Sequence, residues 1–134
     1  MTIESFDDFL QAARTQILPQ RLLFVFANAE LPDDATPDQR AGFEAGRGGA
    51  LVPLMCVDKS PGELQTFDAL VQEAAQFGHT WSLVFAGAMS GSANSAPSSA
   101  QVETSLQAMV EAIKRGDVYR YLAFDRKGMP VVLE

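Results

Sequence analysis

The chain has one cysteine, one histidine and one tryptophan among its 134 residues, and these scarcities exclude whole classes of chemistry. A lone Cys56 can form neither an intrachain disulfide nor a cysteine-rich zinc site, which suits a reducing compartment. A lone His79, with no recurring spacing of His, Cys and carboxylate around it, supplies no metal-ligand pattern. No cofactor and no metal are expected. Basic residues are scarce as well, with 10 Lys and Arg against 17 Asp and Glu and a net charge of -7. No single helix or loop concentrates Lys and Arg into a stripe, so nucleic acid and anionic membrane surfaces are disfavoured as partners. No apolar run approaches the roughly 18 residues of a membrane span. The opening MTIESFDDFLQAAR is amphipathic and acidic, unlike a basic segment followed by an apolar one, and a cytoplasmic protein is expected.

What is present is ordinary globular material, 47% hydrophobic and 20% charged, enough for one domain over residues 1–134 with a continuous core. A first helix is predicted near Ser5 to Thr15, with Asp7 and Asp8 in its positive first turn and Phe6, Phe9, Leu10 and Ala13 on one face. Leu22 to Ala27 is an unbroken apolar run, as expected of a central strand covered on both sides. Thr36, Pro37 and Gln39 form a capping box for a second helix ending by Gly46. A strand over Leu51 to Val57 follows, with Pro53 marking an edge or bulge. Ser60, Pro61, Gly62 and Glu63 repeat the capping pattern before a helix carrying Leu64, Phe67, Leu70, Val71 and Ala74, stopped at Gly78. Trp81 to Ala86 reads as a further strand. Ser98 with Gln101, or Ser99 with Val102, then starts a helix closed by Lys114, Arg115 and Gly116. Val118 to Phe124 and Met129 to Leu133 flank a turn at Asp125 to Gly128, a terminal hairpin with Pro130 at its edge.

This alternation predicts a single three-layer α/β domain: a mostly parallel sheet of about five strands flanked by helices, with a C-terminal β-hairpin. In such sheets ligands settle beyond the carboxyl ends of the strands, where loops and helix N-termini converge. That rule selects Asn28 and Glu30, Asp58 and Lys59, and Ser90, Ser92 and Asn94 as candidate ligand-binding residues. The last three belong to Met89 to Ser99, a long small-residue loop between strand and helix, expected to form a flexible rim.

Familiar catalytic signatures stop short. Gly87 and Gly91 have the outer spacing of a nucleophile elbow, but Met89 holds the centre and His79 precedes the loop. Gly46, Gly48 and Gly49 begin a dinucleotide fingerprint whose third glycine place is Leu51, and the cluster leads into a strand rather than a helix. Lys59 and Ser60 end like a phosphate loop, yet Asp58 stands where glycine is required. Cys56, inside an apolar strand, is expected to be a small buried hydrophobe. His79 is expected in an exposed turn. No catalytic residue is assigned. The acidic, proline-bounded connector Leu31 to Pro37 reads as a solvated turn or as a docking segment presenting Leu31 and Phe43.

With FDDFLQAAR, LPDDATPDQR, PLMCVDKSP and LAFDRKG in view, the chain resembles, end to end, a small proteobacterial family often labelled ribonucleotide reductase subunit alpha. Such a label implies a thiyl-radical cysteine and a separate redox pair in a barrel several times this size. With Cys56 alone, none of that set is carried over. The functional expectation is a noncatalytic module that binds a partner protein or forms a homodimer. The alternative is a small-molecule-binding protein or weak enzyme using the carboxyl edge of the sheet.

Overall fold

Two-sided coverage of one central strand organises the molecule. The computed structural model describes residues 3–31, 34–44 and 50–132. Along them run α1 (Phe6–Arg14), β1 (Gln20–Glu30), α2 (Pro37–Glu44), β2 (Ala50–Lys59), α3 (Phe67–Ala75), β3 (Leu83–Ser90), α4 (Ser99–Lys114) and β4 (Leu122–Phe124). The four strands form one sheet in the order β2-β1-β3-β4, and every neighbouring pair is antiparallel.

The expected mostly parallel, five-stranded arrangement is therefore incorrect. The apolar run in β1 does report helices on both faces, but antiparallel strands so covered look the same in sequence. Leu22, Phe24 and Phe26 alternate onto one face, where Phe6, Phe9, Leu10 and Ala13 of α1 and Leu70 and Ala74 of α3 pack. Leu23, Val25 and Ala27 point the other way, onto Val102, Met109 and Ile113 of α4. Two links depart from the parallel expectation, β1 to β2 through α2 and β3 to β4 through α4, and α2 shows the reason for the first. A parallel crossover needs a helix that buries an apolar face, whereas Pro37, Asp38, Gln39, Arg40, Ala41 and Glu44 are all exposed. The link from β1 to β2 thus reverses the chain instead of carrying it across the sheet. α3 does cross, joining β2 to β3 on either side of β1.

Local grammar fared better at the helix ends. Ser98 accepts from the Gln101 amide and Gln101 returns the bond, a full capping box, and Thr36 and Gln39 exchange the same pair of bonds. Pro53 lies in edge strand β2, at the register shift opposite Phe26 and Ala27. Ser60, however, does not cap a helix: α3 begins later, with Thr66 accepting from the Ala69 amide. Residues 60–66 are held instead by Arg14, whose guanidinium donates to the carbonyls of Leu64 at 2.7 Å and Gln65 at 3.1 Å.

The terminal hairpin is shorter than expected. Its first arm is only β4, preceded by a turn in which the Tyr121 amide donates to the Val118 carbonyl. Its second arm is a single bridge between Phe124 and Pro130, continued by a bond from the Val131 amide to the Ala123 carbonyl. Asp125 fixes the turn by accepting from the amides of Lys127 and Met129. The Gly46, Gly48 and Gly49 cluster, the end of the second predicted helix, the Phe43 side chain and Leu133 lie outside the described residues.

Candidate functional site

Strand direction decides which polar residues meet. Because β1 runs against both neighbours, its carboxyl end lies beside the amino ends of β2 and β3, with Glu30 opposite Ala50 and Ala27 opposite Leu83. Its amino end lies beside their carboxyl ends, with Leu22 opposite Lys59 and Gln20 opposite Ser90. Asn28 and Glu30 are consequently separated from Asp58, Lys59, Ser90, Ser92 and Asn94 by the length of β1, roughly 20–30 Å at about 3.4 Å per residue. The seven residues do not surround one point.

Of the five at the Gln20 end, Asp58 and Lys59 are held in ion pairs. Arg21 Nη2 lies 2.6 Å from Asp58 Oδ2, and Nη1 lies 3.0 Å from Glu63 Oε1. Lys59 Nζ meets Glu73 Oε1 at 2.8 Å, while Glu73 Oε2 is buried without a hydrogen-bond partner among the described residues. These charges cross-link β1, β2, α3 and the 60–66 segment. Glu63 is held below the usual carboxylate pKa, first by the bond from the Ser60 amide, with the Ser60 hydroxyl and the Arg21 and Lys59 charges acting in the same direction. Sequence reasoning missed Arg21 and Gln20. Only the antiparallel register places them beside Asp58 and Ser90.

Ser90 accepts from Gln20 Nε2 at 2.8 Å and borders an open groove of about 420 Å³ lined also by Met89, Ala100, Gln101, Thr104 and Ser105. Gln101 is occupied by its cap. Ser92 and Asn94 are exposed beyond the groove. The loop around them forms a turn: the Ser92 and Ser95 amides donate to each other's carbonyls at 2.8 and 3.3 Å, and the Gly91 amide donates to the Pro19 carbonyl at 2.8 Å. A Cβ at Gly91 would overlap the Ser95 carbonyl oxygen and come within 2.9 Å of Ala96.

Cys56 is exposed, contrary to expectation, because β2 is an edge strand, so Cys56 is not enclosed as it would be in a central one. His79 is exposed in the loop before Trp81. Among the described residues no group of three or more His, Cys, Asp or Glu could hold a metal ion, and no helix is long and apolar enough to cross a membrane.

A different surface gathers on the opposite sheet edge. Tyr119, Leu122, Met129 and Val132 are large apolar residues with between 39% and 87% of their surface exposed. The Phe124–Pro130 register sets Leu122 opposite Val132 on one face. Isolated exposed apolar residues are ordinary; several along one edge are informative. Beneath them the edge is firmly anchored. Arg126 lies 4.7 Å over the Trp81 ring and donates to the Trp81 carbonyl at 2.6 Å, and the Phe6 amide donates to the Gly128 carbonyl at 2.8 Å. No protein-family model, curated protein or solved structure matches this chain.

Proposed function

We propose that this chain is a noncatalytic, cytoplasmic protein-association module that docks its partner on the β4 edge. The observation that carries the reading is the run of exposed apolar side chains, Tyr119, Leu122, Met129 and Val132, on an edge whose backbone is rigidly tied to α1 and β3. Covering one such side chain fully is worth about 1.5–3 kcal/mol. Rigid presentation reduces the ordering cost of binding. The dispersal of the candidate polar residues over two ends of the sheet supports association over small-molecule chemistry.

The test places a photo-crosslinking residue at Val132 and, as a control, at exposed Gln72. Discrete adducts from Val132 that disappear when Leu122→Ser and Met129→Ser are added support the reading. Equal crosslinking from both positions, or adducts indifferent to those substitutions, would sink it.

A second reading, a small ligand held in the groove beside Ser90, draws on the hydroxyls of Ser90, Thr104 and Ser105 around that space. It predicts saturable chemical-shift changes confined to those residues in a fragment screen. Shifts scattered over the surface would dismiss it.

A further inference from the structure

We infer that the outer rim of β3 from Gly87 to Ser90 receives an extended, uncharged peptide segment of a partner protein, added as an antiparallel strand in line with β4. This goes beyond the apolar β4 surface proposed above and does not depend on it. The β3–β4 pairing covers only Val84 to Ala86, opposite Phe124 to Leu122. A strand prolonged backward from Leu122 would face Gly87 to Ser90, but there the chain turns, with the Tyr121 amide donating to the Val118 carbonyl. β3 itself continues to Ser90 against β1. Gly87, Ala88, Met89 and Ser90, about 14 Å at ~3.4 Å per residue, therefore have a strand on one side only among the described residues.

The hydrogen-bonding phase of that rim is fixed by its neighbours. The Gly91 amide donates to the Pro19 carbonyl, and alternation along the ladder turns the amides and carbonyls of Met89 and Gly87 toward β1 as well. Ala88 and Ser90 point theirs the opposite way, to the side on which Val84 and Ala86 meet Phe124 and Leu122. Both residues are exposed, and among the described residues none of those amides and carbonyls has a hydrogen-bond partner. A donor and an acceptor at every second residue match an extended main chain rather than a compact small molecule. The opposite edge of the sheet, β2, is broken by Pro53 and its register shift, features that blunt an edge. The rim at Ala88 has neither.

It also adjoins the groove of about 420 Å³ beside α4, within the ~300–1,000 Å³ of ordinary ligand sites. Met89 packs on the α4 face of the sheet, so every second side chain of an added strand would point to that face and enter the groove against Ala100, Thr104 and Ser105. The lining residues are all uncharged, and a charge brought into such a space would be buried unpaired. The inward side chains of the segment are consequently uncharged. Tyr121 closes the inner end, its ring 3.4 Å from where a Cβ at Gly87 would stand.

Selection of random octapeptides displayed on phage against the intact chain, followed by fluorescence anisotropy with the selected peptides made synthetically, tests this. Those peptides should be free of proline and charge over the run that pairs. Ala88→Pro removes an outward amide while leaving the β1 ladder in place, and should weaken binding at least about tenfold. Ala88→Thr keeps the amide and should bind like the parent. N-methylation of the peptide backbone should abolish binding at alternate positions and spare those between, the period of a strand. Thr104→Trp, at an exposed position, fills the groove without touching β3 and should weaken binding comparably, so the test holds even if Ala88→Pro fails to fold. Failure to select any peptide overturns the inference, as does binding indifferent to both variants or N-methyl sensitivity without alternation. Binding lost in Leu122→Ser with Met129→Ser but unchanged in Ala88→Pro and Thr104→Trp would reject the β3 rim and retain the apolar β4 surface.

Discussion

Replacing Phe6 by alanine should remove the largest single contribution on the α1 side of the sheet. Its ring is 1% exposed and lies 4.8 Å from Phe67, 5.1 Å from Phe124, 5.5 Å from Phe24 and 5.9 Å from Phe9, centroid to centroid. It joins α1 to β1, β4 and the start of α3. Truncating a buried Phe costs about 3–5 kcal/mol from lost transfer and the residual cavity. Collapse is hindered here because the surrounding rings belong to four separate elements, so the loss should be about 4 kcal/mol, a large share of an ordinary domain's ~5–15. Trp81 is the natural reporter. It is the sole tryptophan, buried 4.9 Å from Phe26, so its emission should follow urea unfolding. Phe77→Ala serves as the control, its ring being 59% exposed, and should change stability by less than about 0.5 kcal/mol. Phe6→Leu should retain most of the transfer term and lose about 1–2 kcal/mol. If Phe6→Ala cost under ~1.5 kcal/mol, or no more than Phe77→Ala, the packing of α1 described here would be refuted.

Gly91→Ala should destabilise by at least about 1–3 kcal/mol, since the overlap is with turn backbone rather than a mobile side chain; an unchanged urea midpoint would contradict the turn geometry. Cys56 should react with a thiol reagent at the rate of an exposed thiol in the folded state, and protection released only by denaturant would place it in the core after all. Glu63, whose folded pKa lies below its ordinary 4.5, stabilises the fold above its unfolded pKa. That contribution disappears as pH falls through the folded value, so Glu63→Gln should flatten the acid limb of the stability curve; parallel curves for parent and variant would contradict this. Ser90→Ala removes the acceptor of Gln20, a buried amide that then retains only the Leu18 carbonyl as acceptor, and should cost about 1 kcal/mol, read from the urea midpoint.

The sequence displayed what depends on neighbours in the chain. Ser98 with Gln101 and Thr36 with Gln39 announced helix starts because a cap is a contact across three residues. Pro53 announced an edge because a missing amide is a local fact. Strand direction is a global property, and the apolar run of β1 carries no sign of it; Pro37–Glu44 offers only a weak clue, since Phe43 is the one large apolar residue in it. The candidate site inherited the same error. Asn28 and Asp58 both stand near the carboxyl ends of their strands, but in an antiparallel pair the ends of consecutive strands point to opposite poles. Arg21 and Gln20 could not be found from sequence spacing, since their partners lie more than thirty residues away and become neighbours only through register.

The position of β1 also has a temporal meaning. β2 follows β1 after one chain reversal, so their pairing closes a shorter loop than the pairing of β1 with β3, which spans β2 and α3 as well. Loop-closure entropy rises with that separation, and long-range strand pairing slows folding. Assembly should therefore run outward from the β1–β2 pair, with β4 and the bridge at Pro130 joining last. Until that moment the backbone edge of β3 that receives Leu122–Phe124 has no strand partner on that side, the kind of open edge at which chains pair wrongly.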